Sequence, residues 1–174
     1  MELIAEKPFL DQILKLRDKI FRITKRMLIS KEEAEDATQE VIVKLWEMDP
    51  NKRNSFKSME AYSVIMAKNY CIDRLKSKQA QNLSLNDEIY MSTEQHSLIR
   101  KIEGINEMEW VSQLIDRLPE RDKMIVQLRE IEKYEYEEIG EILDIPPATV
   151  RVYLSRIRKK LKKEFLAIQN YGTT

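Results

Sequence analysis

The chain has 174 residues, with 30 Lys/Arg balanced by 30 Asp/Glu, a single histidine and a single cysteine. One cysteine excludes an intrachain disulfide, His96 and Cys71 are too few to build a zinc site or a His-based triad, and no stretch nears the roughly 18 apolar residues of a membrane span. The expectation is therefore a soluble intracellular protein with no catalytic site, metal, cofactor or membrane insertion; three glycines and five prolines among abundant Glu, Lys, Leu and Ile point to an all-α fold of two small helical domains.

Apolar residues recur at Phe9, Ile13, Leu16, Ile20, Ile23, Met27 and Leu28, the spacing of a buried stripe on a helix over 8–28. Ser30 and Glu33 have the arrangement of a capping box that opens a second helix to about Met48. Ala34, Ala37, Thr38, Val41 and Leu45 mark its inner face, widened by Ile42 and Trp46, while Glu32, Glu35, Asp36, Gln39, Glu40 and Lys44 lie outside. Asp49, Pro50, Asn51 and Asn54 break the pattern into a polar loop that ends near Phe56. A third helix follows Ser58 and runs to about Lys78, with Ala61, Val64, Ile65, Ile72 and Leu75 inward and the Lys68 stem snorkelling. Its outward stripe is Asn69, Asp73 and Lys76, with Arg74 and Lys78 alongside. Cys71 reads as a small apolar residue at a helix boundary.

Residues 79–104 are rich in Ser, Asn, Gln and acids without a convincing period, and read as a flexible linker between domains 1–78 and 105–174. Helices are then expected over 105–118, 120–131, 136–143 and from Pro147 to about Ile168. The last two form a helix-turn-helix: Gly140 permits a close crossing, Ile139, Leu143, Ile145, Val150 and Leu154 fill the wedge, Asp144 takes the turn, and Pro147 suits a first helical turn.

Charge is segregated along the chain. Residues 51–78 carry a net +5, and the final helix sets Arg151, Arg156, Arg158, Lys159, Lys160, Lys162 and Lys163 against Glu164 alone. The two stretches between these islands are acidic. A local cationic stripe attracts a duplex whatever the charge of the whole protein. Ala148, Thr149, Arg151, Val152, Ser155 and Arg156 stand where side chains of such a helix face a major groove, and Arg158, Lys159, Lys160, Lys162 and Lys163 suit phosphates or the protein surface. A regulator that binds operator DNA alone and a helical adaptor for acidic protein partners remain rival readings of these features.

Three stretches resemble the extracytoplasmic-function sigma factors of bacterial RNA polymerase, in order and spacing: Ala34 to Val41 through Leu45-Trp46; Ala61-Tyr62 through Asn69 to Leu75; and Leu118 to Arg121, Tyr136 to Gly140 and Thr149 to Arg151 with Arg156 to Leu161. The resemblance implies an initiation factor without catalytic chemistry that directs core RNA polymerase to promoter DNA. It further implies docking of Asp36, Gln39 and Glu40 on the polymerase, contact of Asn69, Asp73, Arg74 and Lys76 with the −10 element, and contact of Ala148, Thr149, Arg151, Val152, Ser155, Arg156 and Lys159 with the −35 element. Residues 48–56 resemble the loop that captures a flipped base, for which Phe56 or Tyr62 offers a stacking surface. An anti-sigma factor is implied as a regulator. Val152-Tyr153 stands where the family commonly has Ser-Arg, which removes one expected polar contact to DNA.

Overall fold

The computed structural model describes residues 7–28, 30–56, 58–85 and 107–171. Every regular element among them is helical. Helix α1 spans Lys7–Met27, α2 Lys31–Trp46, α3 Pro50–Ser55 and α4 Met59–Leu85; in the second half α5 spans Glu107–Asp116, α6 Glu120–Val126, α7 Tyr136–Leu143 and α8 Pro147–Tyr171. Residues 86–104 of the expected linker, His96 among them, and the first two residues of the helix expected from 105 lie outside the described residues.

In the first half, α1, α2 and α4 pack on one another around Ile13, Leu16, Ile20, Ile23, Ala37, Val41, Leu45, Val64, Ala67 and Cys71. Burying aliphatic side chains of this size stabilises by about 1.5–3 kcal/mol each before conformational entropy is subtracted. Two threonines lie in this apolar contact, and both are satisfied. Thr38 Oγ1 donates to the Ala34 carbonyl at 2.7 Å, and Thr24 Oγ1 lies 3.0 Å from both that carbonyl and Thr38 Oγ1. Ser30 caps α2 by accepting from the Glu33 N–H at 3.1 Å. The Glu33 carboxylate, expected to reach back to the cap, pairs instead with Lys78 and, at 3.8 Å, with Arg74.

Several boundaries and faces differ from the sequence expectation for identifiable reasons. The loop after α2 contains the short helix α3, because Asp49 accepts from the N–H groups of Asn51 and Lys52 and Pro50 occupies the first turn. Trp46, expected on the inner face of α2, is 39% exposed and stacks beside Phe9. The buried line of α4 is Val64, Ala67 and Cys71, while Ala61, Ile65, Lys68, Ile72 and Leu75 are only half-buried. Cys71 thus lies inside the helix, not at its boundary. Two layers explain this: α4 meets α1 and α2 on one side and α7 on the other, so a broad arc is covered. The helix also runs on to Leu85, past the expected end near Lys78.

In the second half the expected helix over 120–131 is α only to Val126 and then turns as a π-helix over Gln127–Ile131. The Glu132 N–H reaches the Gln127 carbonyl at 3.0 Å, and Lys133 adopts the left-handed conformation at φ 62°. The consequence is positional, since Glu132 and Tyr134 are thereby turned toward the first half. There α1 meets α6 and α4 meets α7, and the buried apolar residues of both halves form one cluster. No helix among the described residues is long and apolar enough to cross a membrane.

Candidate nucleic-acid and polymerase interfaces

The helix-turn-helix is built by three local devices. Asp144 ends α7 in the left-handed conformation, φ 56° and ψ 48°, which a short acidic side chain tolerates. The Ile145 N–H then bonds the Gly140 carbonyl at 3.0 Å, and α8 begins at Pro147. At Gly140 a Cβ would lie 2.7 Å from the Ile145 carbonyl oxygen, so only glycine fits this crossing without displacement. Ile139, Val150 and Leu154 are buried in the wedge, with Leu143 and Ile145 half-buried at its edge.

Burial of Val150, Leu154 and Ile157 fixes the rotation of α8. It leaves Ala148, Arg151, Val152, Ser155, Arg156 and Lys159 exposed, and Thr149 half-buried beside them. Arg151 is held by Glu137 at 3.3 Å and by the Tyr136 ring at 4.9 Å, an arrangement that pre-positions the guanidinium at the mouth of the motif. Arg158 is differently engaged: its Nε and a terminal nitrogen bond Glu130 at 3.0 and 2.6 Å, which draws it back onto its own domain. Arg156, Lys159, Lys162 and Lys163 have no acidic partner among the described residues. Tyr153, half-buried, lies under the Arg121 guanidinium at 3.9 Å, so the departure from the family pattern serves packing against α6.

On α4, Asn69, Asp73 and Lys76 form an exposed stripe. Arg74 stands beside them, its side chain 41% exposed and its Nε 3.8 Å from the Glu33 carboxylate. Lys68, expected inward with a snorkelling stem, is half-buried and reaches the second half. Its Nζ donates to the Ile142 carbonyl of α7 at 3.0 Å, with Met27, Ile72, Met124, Leu143 and Ile145 around the stem. Burial lowers its pKa, and Asp144 partly offsets the effect.

At the base of α4 the Phe56 and Tyr62 rings stack on each other at 3.8 Å with 22° between their planes. The pair forms one aromatic platform at the end of the α3 segment. Arg53, which sequence reasoning did not single out, anchors that segment: its guanidinium lies 3.9 Å from the Phe9 ring centroid and bonds the Trp46 carbonyl at the end of α2.

The outer face of α2 presents Asp36 and Gln39 as exposed residues and Glu40 as a half-buried one, with Glu40 paired to Lys44 at 3.4 Å. Val43 and Trp46 continue this face, 48% and 39% exposed. Val43 falls four residues after Gln39, a helical neighbour that the sequence reading passed over. An apolar patch edged by carboxylates suits a protein partner better than DNA, because phosphates repel it. Cys71 takes no part, since burial pushes its thiol up to about 12.

Residues 13–81 match the family model for Sigma-70 region 2, and residues 108–161 match that for Sigma-70, region 4. The chain is 30% identical over 168 residues to the ECF RNA polymerase sigma factor SigW of Bacillus subtilis, an alignment covering 90% of this chain and 88% of the relative. It is 26% identical over 164 residues to the RNA polymerase sigma-H factor of Pseudomonas aeruginosa, covering 87% and 82%. Among solved structures, the sigma factor RpoE in complex with the anti-sigma factor NepR from Bartonella quintana superposes with a TM-score of 0.70 at 19% identity, over 92% of this chain and 98% of that one.

Proposed function

This chain belongs to the extracytoplasmic-function sigma factors of bacterial RNA polymerase, and from that premise we propose how its residues divide the work of finding and opening a promoter. As a sigma factor it directs core RNA polymerase to promoters for transcription initiation and is not an enzyme. In our reading, residues 1–78 form the unit that meets core polymerase and the −10 element, 79–104 connect, and 105–174 form the unit that meets the −35 element. The observation that carries this division is the matching of the two sigma regions, in order, to the two halves that bear the cationic helix faces.

The exposed row Ala148, Arg151, Val152, Ser155 and Arg156, with Thr149 beside it, enters the major groove at −35, Arg151 reading a base and Lys159 a phosphate. Asn69, Asp73 and Lys76 meet the −10 strand, with the Phe56–Tyr62 platform stacking an unpaired base. Arg74 contributes once it is released from Glu33. Strand opening is then driven by capture of unpaired bases, a binding effect that requires no chemistry from the protein. Asp36, Gln39 and Glu40, with Val43 and Trp46, dock on core polymerase. The protein works in the cytoplasm, and an anti-sigma factor that covers these faces regulates it.

Reversal of the docking charges tests the polymerase face: Asp36→Lys with Glu40→Lys should weaken association with purified core enzyme by at least about tenfold, roughly 1.4 kcal/mol. Both residues are on the outside of α2, so the helical melt should stay cooperative. Undiminished co-purification of the folded double variant with core enzyme contradicts the assignment.

A further inference from the structure

Helix α8 carries an apolar side chain where neither folding nor attraction to phosphates calls for one. Val152 is 47% exposed, in the middle of the otherwise polar and cationic row. It stands two residues from both Val150 and Leu154, a rotation of about 200° around the helix, so it points away from the buried stripe. The neighbouring Tyr153 takes the other course and packs under the Arg121 guanidinium at 3.9 Å. Val152 is left at the surface.

A valine in that place costs the helix something. Branching at Cβ restricts its side chain against the preceding turn, so alanine, lysine or glutamine would each favour the helix more at an exposed position. The same restriction has a use in recognition, because a valine on a helix holds essentially one rotamer and presents its two methyl groups without further loss of side-chain freedom. Ala148 and Thr149 lie one turn toward the start of α8, and Ser155 and Arg156 one turn beyond. The methyl groups of Ala148, Thr149 and Val152 therefore make one small apolar strip that ends at a guanidinium.

A major groove offers such a strip a single complement. Every base pair displays hydrogen-bond donors or acceptors there, but only thymine adds a methyl group. Valine has nothing to donate or accept, so against the edge of a G·C pair it would take polar atoms out of water without replacing their hydrogen bonds. Discrimination then comes from both sides, through burial of a methyl on the right base and an unpaired polar edge on the wrong one.

We propose that Val152 reads the 5-methyl group of a thymine in the −35 element, with Ala148 and the Thr149 methyl extending the contact. The inference rests on the sigma-factor reading above and deepens it by assigning one base to one residue. The −35 element must accordingly contain an A·T pair.

Uracil scanning tests the assignment, because uracil keeps every hydrogen-bonding group of thymine and lacks only the methyl. Each thymine of the −35 block, on either strand, is replaced in turn in a native promoter that the holoenzyme transcribes, and occupancy by holoenzyme is read in competition binding. At one position the replacement should weaken binding by about fourfold, the worth of one buried methyl group. Holoenzyme carrying Val152→Ala should bind the thymine promoter more weakly than wild type and should no longer distinguish uracil from thymine at that position. Free Val152→Ala should melt no lower than wild type, since alanine is the better helix former, so its weaker binding is not a loss of fold. A −35 block without thymine, a uracil penalty below about twofold at every position, or a penalty that persists undiminished in Val152→Ala overturns the proposal. The last result would place the exposed valine against a protein partner. Start-specific transcription of the unmodified promoter by the wild-type chain checks the sigma-factor reading separately, so failure of the uracil test removes only the thymine assignment.

Discussion

Gly140→Ala sets two effects of known sign against each other. In a helix interior alanine is favoured over glycine by about 0.8–1.0 kcal/mol, so a roomy site gains stability. Here the added Cβ would stand 2.7 Å from the Ile145 carbonyl oxygen and 3.4 Å from Pro147 Cδ and Cγ. The first contact is with backbone, and the Ile145 N–H is itself bonded to the Gly140 carbonyl, so relief requires the turn to move as a unit. Forcing atoms into a packed contact costs about 1–3 kcal/mol, and displacement of the turn also strains Asp144 in its left-handed conformation. A net loss of about 1–2 kcal/mol is expected. In a chain of this size that lowers the melting temperature by about 2–8 °C, measured by circular dichroism. The crossing of α7 and α8 should change too, so affinity for −35 duplex DNA should fall more than stability alone explains. An unchanged or higher melting temperature with full −35 affinity would refute the close-crossing argument.

Other perturbations separate the individual roles. Arg151→Ala breaks a pair in which both partners are more than half exposed, so stability should change by less than about 1 kcal/mol. Recognition of one upstream base position should weaken by about 1–3 kcal/mol in competition binding, whereas equal loss on every sequence would make Arg151 a phosphate contact. Phe56→Ala removes half of the stacked platform and should lower promoter opening, read by a fluorescent base analogue in the −10 strand, by about 1–3 kcal/mol per stacked base. Opening at wild-type extent shows that no base stacks there. The Lys19 hydrogen bond holds the Glu60 carboxyl below its ordinary range despite burial, with the Tyr134 hydroxyl adding to it. For a depressed carboxyl the stabilisation is present above the unfolded pKa and is lost as pH falls through the folded one. The stability gap between wild type and Glu60→Gln should therefore close as pH drops through and below the ordinary carboxylate range, and a gap that persists into acid would exclude this contribution.

What could be read from sequence followed the range over which each determinant acts. The helix-turn-helix was legible because its signals are local: Gly140, Asp144 and Pro147 fix the turn, and the spacing of Val150 and Leu154 sets the exposed face of α8. The exposed outer residues of α2, Asp36 and Gln39, followed from helical spacing for the same reason. The α3 helix was missed because a capping aspartate and a proline in the first turn look like loop chemistry until a helix is seen to follow. Nothing in Gln127–Ile131 distinguishes a π turn from an α turn, yet that turn brings Glu132 to Arg22 and Tyr134 to Glu60. The Arg22–Glu132 pair was illegible, since its partners are 110 residues apart. The inward set on α4 was misjudged for a related reason, because a helix covered by neighbours on two sides has no single apolar stripe.

Transcription reconstituted from the purified chain, purified core polymerase and native genomic fragments, with RNA 5′ ends mapped, tests the central claim most directly. Discrete starts are expected, preceded at fixed spacing by two shared sequence blocks, with the upstream block losing its influence in Arg151→Ala. Absence of start-specific transcripts above core polymerase alone, on every native template, would contradict the account.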